Sequence, residues 1–109
     1  MSDTSMPPAI RAFVDTTNSG DSDGFVAAFT EDAYLNDWGR EFHGREGVAS
    51  WNESDNIGRQ AHFDVHGIIA GRMPEQYLLT VTVSGGGYNG PGTFTFDLRD
   101  GLIARFLIA

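Results

Sequence analysis

Residues 18–51 read NSGDSDGFVAAFTEDAYLNDWGREFHGREGVASW, and the order of local signals in this stretch decides the fold. The segment NSG ends a helix, and Asp21 or Ser22 can cap a second, short helix through DGFVAAF. The segment AYLND then alternates between two faces, as a β-strand does. A third helix is predicted from about Arg45 to Asn56. The stretch therefore predicts helices on both sides of a first strand.

Helical spacing precedes this stretch, and strand spacing follows it. Upstream, Ile10, Phe13, Val14 and Thr17 recur at i, i+3, i+4 and i+7, which predicts an amphipathic first helix. After Ala61 the period changes to two in four runs, HFDVHGIIAG, QYLLTVTVS, GTFTFDLR and LIARFLIA. An Asp-Gly pair joins the last two runs and predicts a type I′ hairpin. Helices followed by long antiparallel strands are typical of an α+β fold, with the helices on one face of a curved sheet.

The strand periodicity also predicts which side chains face the core. The inward residues of the first three runs are predicted to be Phe63, Val65, Ile69, Tyr77, Leu79, Val81, Val83, Phe94, Phe96 and Leu98. The segment SGGGYNGPG, between the second and third runs, is predicted to be a long flexible hairpin connection.

The composition limits the classes of function. The chain of 109 residues is 40% hydrophobic, which matches one domain at 7–109 behind a flexible polar tail at 1–6. The net charge is -8, and no lysine accompanies the arginines, so the chain lacks the basic patch that nucleic acids and anionic membranes need. No cysteine, secretory leader or membrane-spanning run is evident. We therefore expect a cytoplasmic protein whose partner is a small molecule.

The order of these elements resembles the nuclear transport factor 2-like superfamily, which includes SnoaL-type polyketide cyclases, ketosteroid isomerase and limonene epoxide hydrolase. The resemblance rests on a helix ending in Asn-x-Gly-Asp, a Phe-x-x-Asp-Ala step into the first strand, a Gly-Arg pair before the third helix, and a final strand entered through Asp-Gly. It implies a cone-shaped α+β fold with three N-terminal helices packed on a curved, mainly antiparallel sheet that encloses a pocket. It also implies a homodimer. Enzymes and binding modules share this architecture, so the fold alone does not give the function.

Asp37 is the candidate catalytic residue. It shares a strand face with Ala33 and Leu35, where a carboxylate is suited to act as a general base. The alternative is a turn role, in which its side chain accepts a hydrogen bond from a backbone N–H two residues on. The resemblance places Asp37 at the position of the base of ketosteroid isomerase. It also places Phe13 and Phe94 where that enzyme has the Tyr and Asp of its oxyanion hole, and neither phenylalanine can donate a hydrogen bond.

Further candidate pocket residues come from the third helix. Trp51, Asn52 and Asp55 share one helical face and offer an aromatic wall, an amide and a carboxylate. The alternative is a core tryptophan followed by polar residues at a helix end. Nearby, Arg40 and Arg45 are expected to form ion pairs with acidic neighbours in sequence, Glu41 or Glu46.

Four ring side chains complete the candidate pocket. Tyr34, Trp38 and Tyr77 are predicted to be wall aromatics or donors, with core packing as the alternative. His62, near the start of a strand, could reach the pocket mouth. His62 and His66 lie too far apart along a strand to bind one metal ion together, and their face is predicted to be solvated. No metal site and no cofactor are expected.

Two hypotheses about function follow. In the first, the protein binds a small apolar carbonyl compound and abstracts a proton from it with Asp37, as an isomerase, cyclase or dehydratase would. In the second, the same pocket holds a ligand without turnover, or the domain serves only in dimerisation.

Overall fold

The fold is an α+β arrangement of helices on one side of a sheet, as the sequence predicts, and the sheet has six strands. The computed structural model describes residues 5–108. The elements are α1 (Pro8–Ser19), α2 (Ser22–Ala27), β1 (Phe29–Asp37), β2 (Arg40–His43), α3 (Gly44–Asp55), a 3₁₀ helix (Ile57–Arg59), β3 (His62–Ala70), β4 (Gln76–Ser84), β5 (Gly90–Arg99) and β6 (Leu102–Ile108). None of the helices within residues 5–108 is long and apolar enough to cross a bilayer.

Local sequence explains where the first two helices begin and end. Helix α1 starts at Pro8, where a missing N–H costs nothing, and ends before Gly20, which has a φ of 78°. Its predicted stripe, including Phe13 and Thr17, is buried. Helix α2 is capped by Asp21, whose side chain accepts a hydrogen bond from the Gly24 N–H at 3.0 Å. Strand β1 then begins at Phe29.

The sheet has the strand order β2-β1-β6-β5-β4-β3. Strand β1 pairs with β6 in parallel, and the other neighbours are antiparallel. The predicted Asp100-Gly101 turn joins β5 to β6, and its two residues have φ of 55° and 80°, as a type I′ turn requires. Strand β1 is therefore an interior strand, between β2 and β6, and α2 and α3 contact it.

Strand β2 was not predicted. It pairs antiparallel with β1 through the two-residue turn Trp38-Gly39, whose φ values are 54° and 94°. Its four residues are mostly exposed and show no hydrophobic alternation. For this reason the sequence predicts that these residues form a turn before the third helix.

The predicted inward face of β3 is wrong after its first residues. A bulge between Val65 and Gly67 shifts the pairing with β4. Because one extra residue turns every later side chain to the other face, Ile68 packs against the core and Ile69 is 62% exposed. Val65 is 39% exposed because β3 is an edge strand.

Phenylalanines dominate the core between the helices and the sheet. Phe13 is fully buried, and six phenylalanine ring centroids lie 4.8 to 6.3 Å from its own. Close ring packing of this kind stabilises the core beyond the area it buries. Of the predicted flexible tail, residues 1–4 lie outside the described residues, whereas Met6 packs against the core.

Candidate functional site

A cavity of about 360 Å³ opens between the β1–β2 turn, the C-terminal end of α3 and the β4–β5 loop. Its buried lining residues are mostly apolar, namely Trp51, Ala61, Phe63, Val83 and Phe94, with Asn56 as the polar exception. Its exposed lining residues are Trp38, Ser54, Arg59, Gly86, Gly87, Tyr88 and Pro91. The half-buried acids Asp37 and Asp55 also line it. The cavity therefore has an apolar interior and a polar mouth, as small-molecule sites do.

Asp37 stands on the cavity wall with one carboxylate oxygen held and the other open. Its Oδ2 accepts hydrogen bonds from Trp51 Nε1 at 3.0 Å and from an Arg40 Nη at 2.5 Å. Within residues 5–108, no protein group donates to Oδ1. The Asp37 side chain is 15% exposed. The carboxylate is thus fixed in orientation while one oxygen stays free for a ligand.

The turn role considered for Asp37 belongs to its neighbour. The Gly39 N–H donates to Oδ1 of Asn36 at 2.8 Å, and this bond holds the β1–β2 turn. The Asp37 side chain accepts no backbone N–H in the turn, and its contact across the turn is with the Arg40 guanidinium.

Arg40 bridges the two acids of the cavity. Its guanidinium donates to Asp37, as above, and to Asp55 Oδ1 at 2.9 Å. The hydrogen bond that Arg40 donates to Asp55 is the main reason why the pKa of Arg40 is raised, and the hydrogen bond to Asp37 contributes further. The pairing with Glu41 or Glu46 expected from the sequence is wrong, because β2 turns Arg40 toward α3.

Asp55 is held by two donors. Besides Arg40, the Ser54 hydroxyl donates to its Oδ2 at 2.5 Å. Partial burial raises the pKa of Asp55, but the hydrogen bonds from Ser54 and Arg40 and the charges of Arg40 and Arg59 outweigh it and leave the pKa below its usual value. Asp55 is therefore an anion at neutral pH, and it serves to hold Arg40.

A buried amide network lies behind the cavity wall. Asn56, 1% exposed, donates from Nδ2 to Thr17 Oγ1 at 2.9 Å and to Asn52 Oδ1 at 3.1 Å. Asn52 donates in turn to Ser22 Oγ at 3.1 Å. These bonds tie the end of α3 to both N-terminal helices, which fixes the edge of the cavity that carries Asp55.

Comparison with protein families adds an independent observation. The sequence profile of the SnoaL-like domain family matches residues 10–106, nearly the whole chain. The chain belongs to the SnoaL-like domain family. The nuclear transport factor 2-like resemblance of residues 18–51 is thereby confirmed. No curated protein matches this SnoaL-like chain significantly.

Solved structures share the fold of this SnoaL-like domain. A candidate polyketide cyclase from Sinorhizobium meliloti is 23% identical with a TM-score of 0.85, and the match covers 95% of each chain. A Mycobacterium tuberculosis protein in complex with estradiol-17beta-hemisuccinate is 16% identical with a TM-score of 0.81, over 94% of this chain and 93% of that one. A candidate ketosteroid isomerase from Kribbella flavida is 20% identical with a TM-score of 0.77, over 92% and 73%. At these identities the likeness concerns the fold.

The SnoaL-like cavity brings together five of the predicted pocket residues. These are Asp37, Trp38, Trp51, Asp55 and Phe94. Asn52 does not, because its side chain is 2% exposed and belongs to the amide network.

The other predicted site residues do not line the cavity. Phe13 is enclosed by the phenylalanine core. Tyr34 lies on the other face of β1, where its hydroxyl donates to Glu41 at 2.7 Å. His62 is exposed and lies 3.3 Å from Asp64. Tyr77 is the second residue of β4, whereas Val83, which lines the cavity, lies near the other end of that strand.

Trp38, one of the predicted wall aromatics, stands at the cavity mouth, where it is 76% exposed and not packed in the core. Several other lining residues in turns and loops were not predicted. Tyr88 is 61% exposed at the cavity mouth. It stands among glycines in GGGYNG, and a large aromatic in such a segment is the signal that could have found it. Ser54 and Arg59 give no comparable signal. Nowhere in residues 5–108 do three potential metal-ligating side chains cluster.

Proposed function

We propose that this SnoaL-like protein binds a small, largely apolar carbonyl compound in the cavity and abstracts a proton from it with Asp37 as the base. The observation that carries the proposal is the Asp37 carboxylate, which is held through Oδ2 and open at Oδ1 on the wall of a mainly apolar cavity. The resemblance to ketosteroid isomerase, which implies the same position for the base, supports it.

The geometry around Asp37 suits this step. Trp51 and Arg40 fix the orientation of the Asp37 carboxylate. Oδ1 is therefore already oriented when a C–H group of the ligand binds beside it. The electron pair of the C–H bond moves toward the carbonyl oxygen of the ligand as the proton moves to Oδ1. Return of that proton to a different carbon completes an isomerisation. Apolar walls such as Phe63 and Phe94 exclude water and strengthen the charge interactions of the step.

The donors already in use limit what can stabilise the developing oxyanion. Trp51 Nε1 donates to Asp37, and the Tyr88 hydroxyl donates to the Pro91 carbonyl at 2.7 Å. Phe94 lines the cavity without a polar atom. None of these three groups is therefore available to the oxyanion.

The experiment starts from a thermal-shift screen of apolar carbonyl compounds. A ligand at 100 times its Kd should stabilise the fold by about 2.7 kcal/mol. For each compound that binds, exchange of its α-protons in D₂O is then followed by NMR. This measurement detects proton abstraction whatever the final product.

The matched variants are Asp37→Asn and Asp64→Asn. We expect Asp37→Asn to bind the compound and to lose exchange by at least about 100-fold, because the general base is gone. Asp64→Asn, on exposed β3 away from the cavity, should exchange like the wild type. Undiminished exchange in Asp37→Asn would rule Asp37 out as the base.

A second candidate function is binding without turnover. It is favoured by Phe13 and Phe94, which stand where the resemblance places the oxyanion donors of ketosteroid isomerase. Saturable binding with no exchange in the wild type would support this function instead.

Two further expectations from the sequence stay proposals. We expect a homodimer, and sedimentation at micromolar concentration tests it, since a monomer there contradicts a stable dimer. We also expect a cytoplasmic location, which fractionation of the source cells would test.

A further inference from the structure

Arg59 occupies a fixed position at the mouth of the cavity. It ends the 3₁₀ helix, and Gly58 in that helix approaches α3 so closely that a Cβ would lie 1.6 Å from the Glu53 carbonyl oxygen. The Arg59 backbone N–H donates to the Asn56 carbonyl at 2.9 Å, and its carbonyl accepts from the Gly86 N–H at 2.8 Å. The backbone of Arg59 is thus tied to both α3 and the β4–β5 loop.

The aliphatic stem and Nε of Arg59 are also positioned. Gly87 passes beside the stem, since a Cβ on Gly87 would lie 3.5 Å from Arg59 Cβ and 3.6 Å from Cγ. At the other end of the stem, Nε donates to the Ser54 carbonyl at 3.2 Å. These contacts restrict the rotamers of an otherwise exposed side chain.

The outer nitrogens of the Arg59 guanidinium have no partner within residues 5–108. No carboxylate lies within 4.0 Å of them, whereas Arg40 and Arg99 each pair with an acid. Asp55 is near enough for the charge of Arg59 to act on it, but Arg40 and Ser54 occupy both of its oxygens. The Arg59 guanidinium therefore has unused N–H donors, and both oxygens of the neighbouring Asp55 carboxylate already accept hydrogen bonds from other residues.

We infer that the ligand of the cavity is an amphipathic anion, with its apolar body between Trp51 and Phe94 and a carboxylate or sulfonate paired with Arg59. The inference rests on the proposed function, because it concerns the same cavity. A guanidinium matches a planar carboxylate with two parallel hydrogen bonds. The net charge of -8 gives an anion no general attraction to this protein, so Arg59 has to provide the recognition.

The test compares two dyes that share a ring system, anilinonaphthalene sulfonate and the neutral phenylnaphthylamine. Both fluoresce in apolar surroundings, and only the first is an anion. The variants are Arg59→Gln and Arg72→Gln. Each removes one positive charge, and Arg72 does not line the cavity. Both arginines are exposed, so both variants should fold.

We expect Arg59→Gln to raise the Kd of the sulfonate about five- to tenfold and to leave the Kd of the neutral dye within about twofold. Added salt should weaken sulfonate binding to the wild type more than to Arg59→Gln. Arg72→Gln should change neither dye. Arg59→Lys should bind the sulfonate more tightly than Arg59→Gln and less tightly than the wild type, because lysine keeps the positive charge but lacks the paired N–H donors of a guanidinium.

The contrary outcomes separate the two proposals. Equal losses for both dyes in Arg59→Gln would show that Arg59 only shapes the cavity, and unchanged sulfonate binding would show that it does not meet the anion. Binding of the neutral dye alone to the wild type would overturn the inference and leave the proposed function standing. Failure of both dyes to bind would overturn the inference, whereas the proposed function is tested separately by the exchange of α-protons in carbonyl compounds.

Discussion

Asp37 and Trp51 are joined by a hydrogen bond of 3.0 Å from the indole Nε1 to the carboxylate Oδ2, which ties the end of β1 to α3. The Trp51 ring is 3% exposed, and its centroid lies 6.1 Å from that of Phe25 and 5.6 Å from that of Phe106. The orientation of an acid on the cavity wall therefore depends on aromatic packing in the core.

The first prediction concerns Trp51→Phe. The substitution removes the donor to Asp37 and part of a buried ring, so we expect a loss of about 2 kcal/mol in the free energy of unfolding. Urea denaturation measures it. Trp38→Phe is the control, since Trp38 is 76% exposed and should change stability by less than about 0.5 kcal/mol. Equal stability of the two variants would mean that the indole bond contributes nothing.

The second prediction concerns Phe13→Tyr. The resemblance to ketosteroid isomerase suggests that a hydroxyl here would restore an oxyanion donor. Phe13, however, is fully buried among phenylalanines and does not line the cavity. The hydroxyl would be left without a partner, and we expect a loss of about 1–3 kcal/mol in urea denaturation. A variant as stable as the wild type would indicate that the hydroxyl reaches a partner or the cavity.

The third prediction concerns the buried amide network. Asn56→Ala leaves Thr17 and Asn52 without their donor, and we expect a loss of about 2–4 kcal/mol. Thr17→Val removes the acceptor with little change of shape. A double-mutant cycle over urea midpoints should show that the two losses are not additive. Simple additivity would show that the 2.9 Å contact between them carries no energy.

The fourth prediction concerns the backbone at Trp38, which has a φ of 54°. Asparagine before glycine is the preferred pair for a turn with two positive φ values. Trp38→Asn should therefore raise stability by about 0.5–1 kcal/mol, while ligand binding weakens because an aromatic surface at the mouth is lost. Thermal unfolding and the dye titration measure the two effects. Reduced stability would show that the indole supports the fold.

The fifth prediction concerns the acid dependence of stability. The pKa of Asp55 is lower in the folded protein than its usual value, so the carboxylate contributes stability at neutral pH that is lost as the pH falls below about 4. Asp55→Asn should cost about 1 kcal/mol or less at pH 7, and the difference from the wild type should shrink toward pH 3. Asp15→Asn on the exposed face of α1 is the control, with no such change expected. A gap that stays constant with pH would contradict the prediction.

Most of the fold was predictable because strong local signals agree with one another. Each of these signals lies within a few neighbouring residues. Examples are the apolar stripe of α1, the cap of α2 at Asp21 and the turn between β5 and β6 at Asp100-Gly101. Strand β2 and the β3 bulge were not predictable, because they depend on pairing with a distant strand. No pattern within REFH or HFDVHG indicates which partner the segment meets.

The candidate site was harder to predict from the sequence than the fold. Asp37, Trp51 and Asp55 were selected by face and spacing within single elements, and they do line one cavity. The role of Arg40 was misjudged because its partners are fixed by the β1–β2 hairpin and by α3, and not by the adjacent glutamates. Arg59 and Tyr88 reach the mouth through a 3₁₀ helix and a loop, whose paths are set by tertiary contacts.

Both tryptophans of the chain stand in the cavity wall, but in opposite surroundings: Trp38 is 76% exposed and Trp51 is 3% exposed. Their ultraviolet emission should consequently overlap as a long-wavelength band from a hydrated indole and a short-wavelength band from an enclosed one. Entry of a molecule that covers Trp38 would shift the first band to shorter wavelength, whereas Trp51, already enclosed before the molecule enters, would change its emission wavelength less. The protein thus carries in Trp38 its own optical reporter of occupancy.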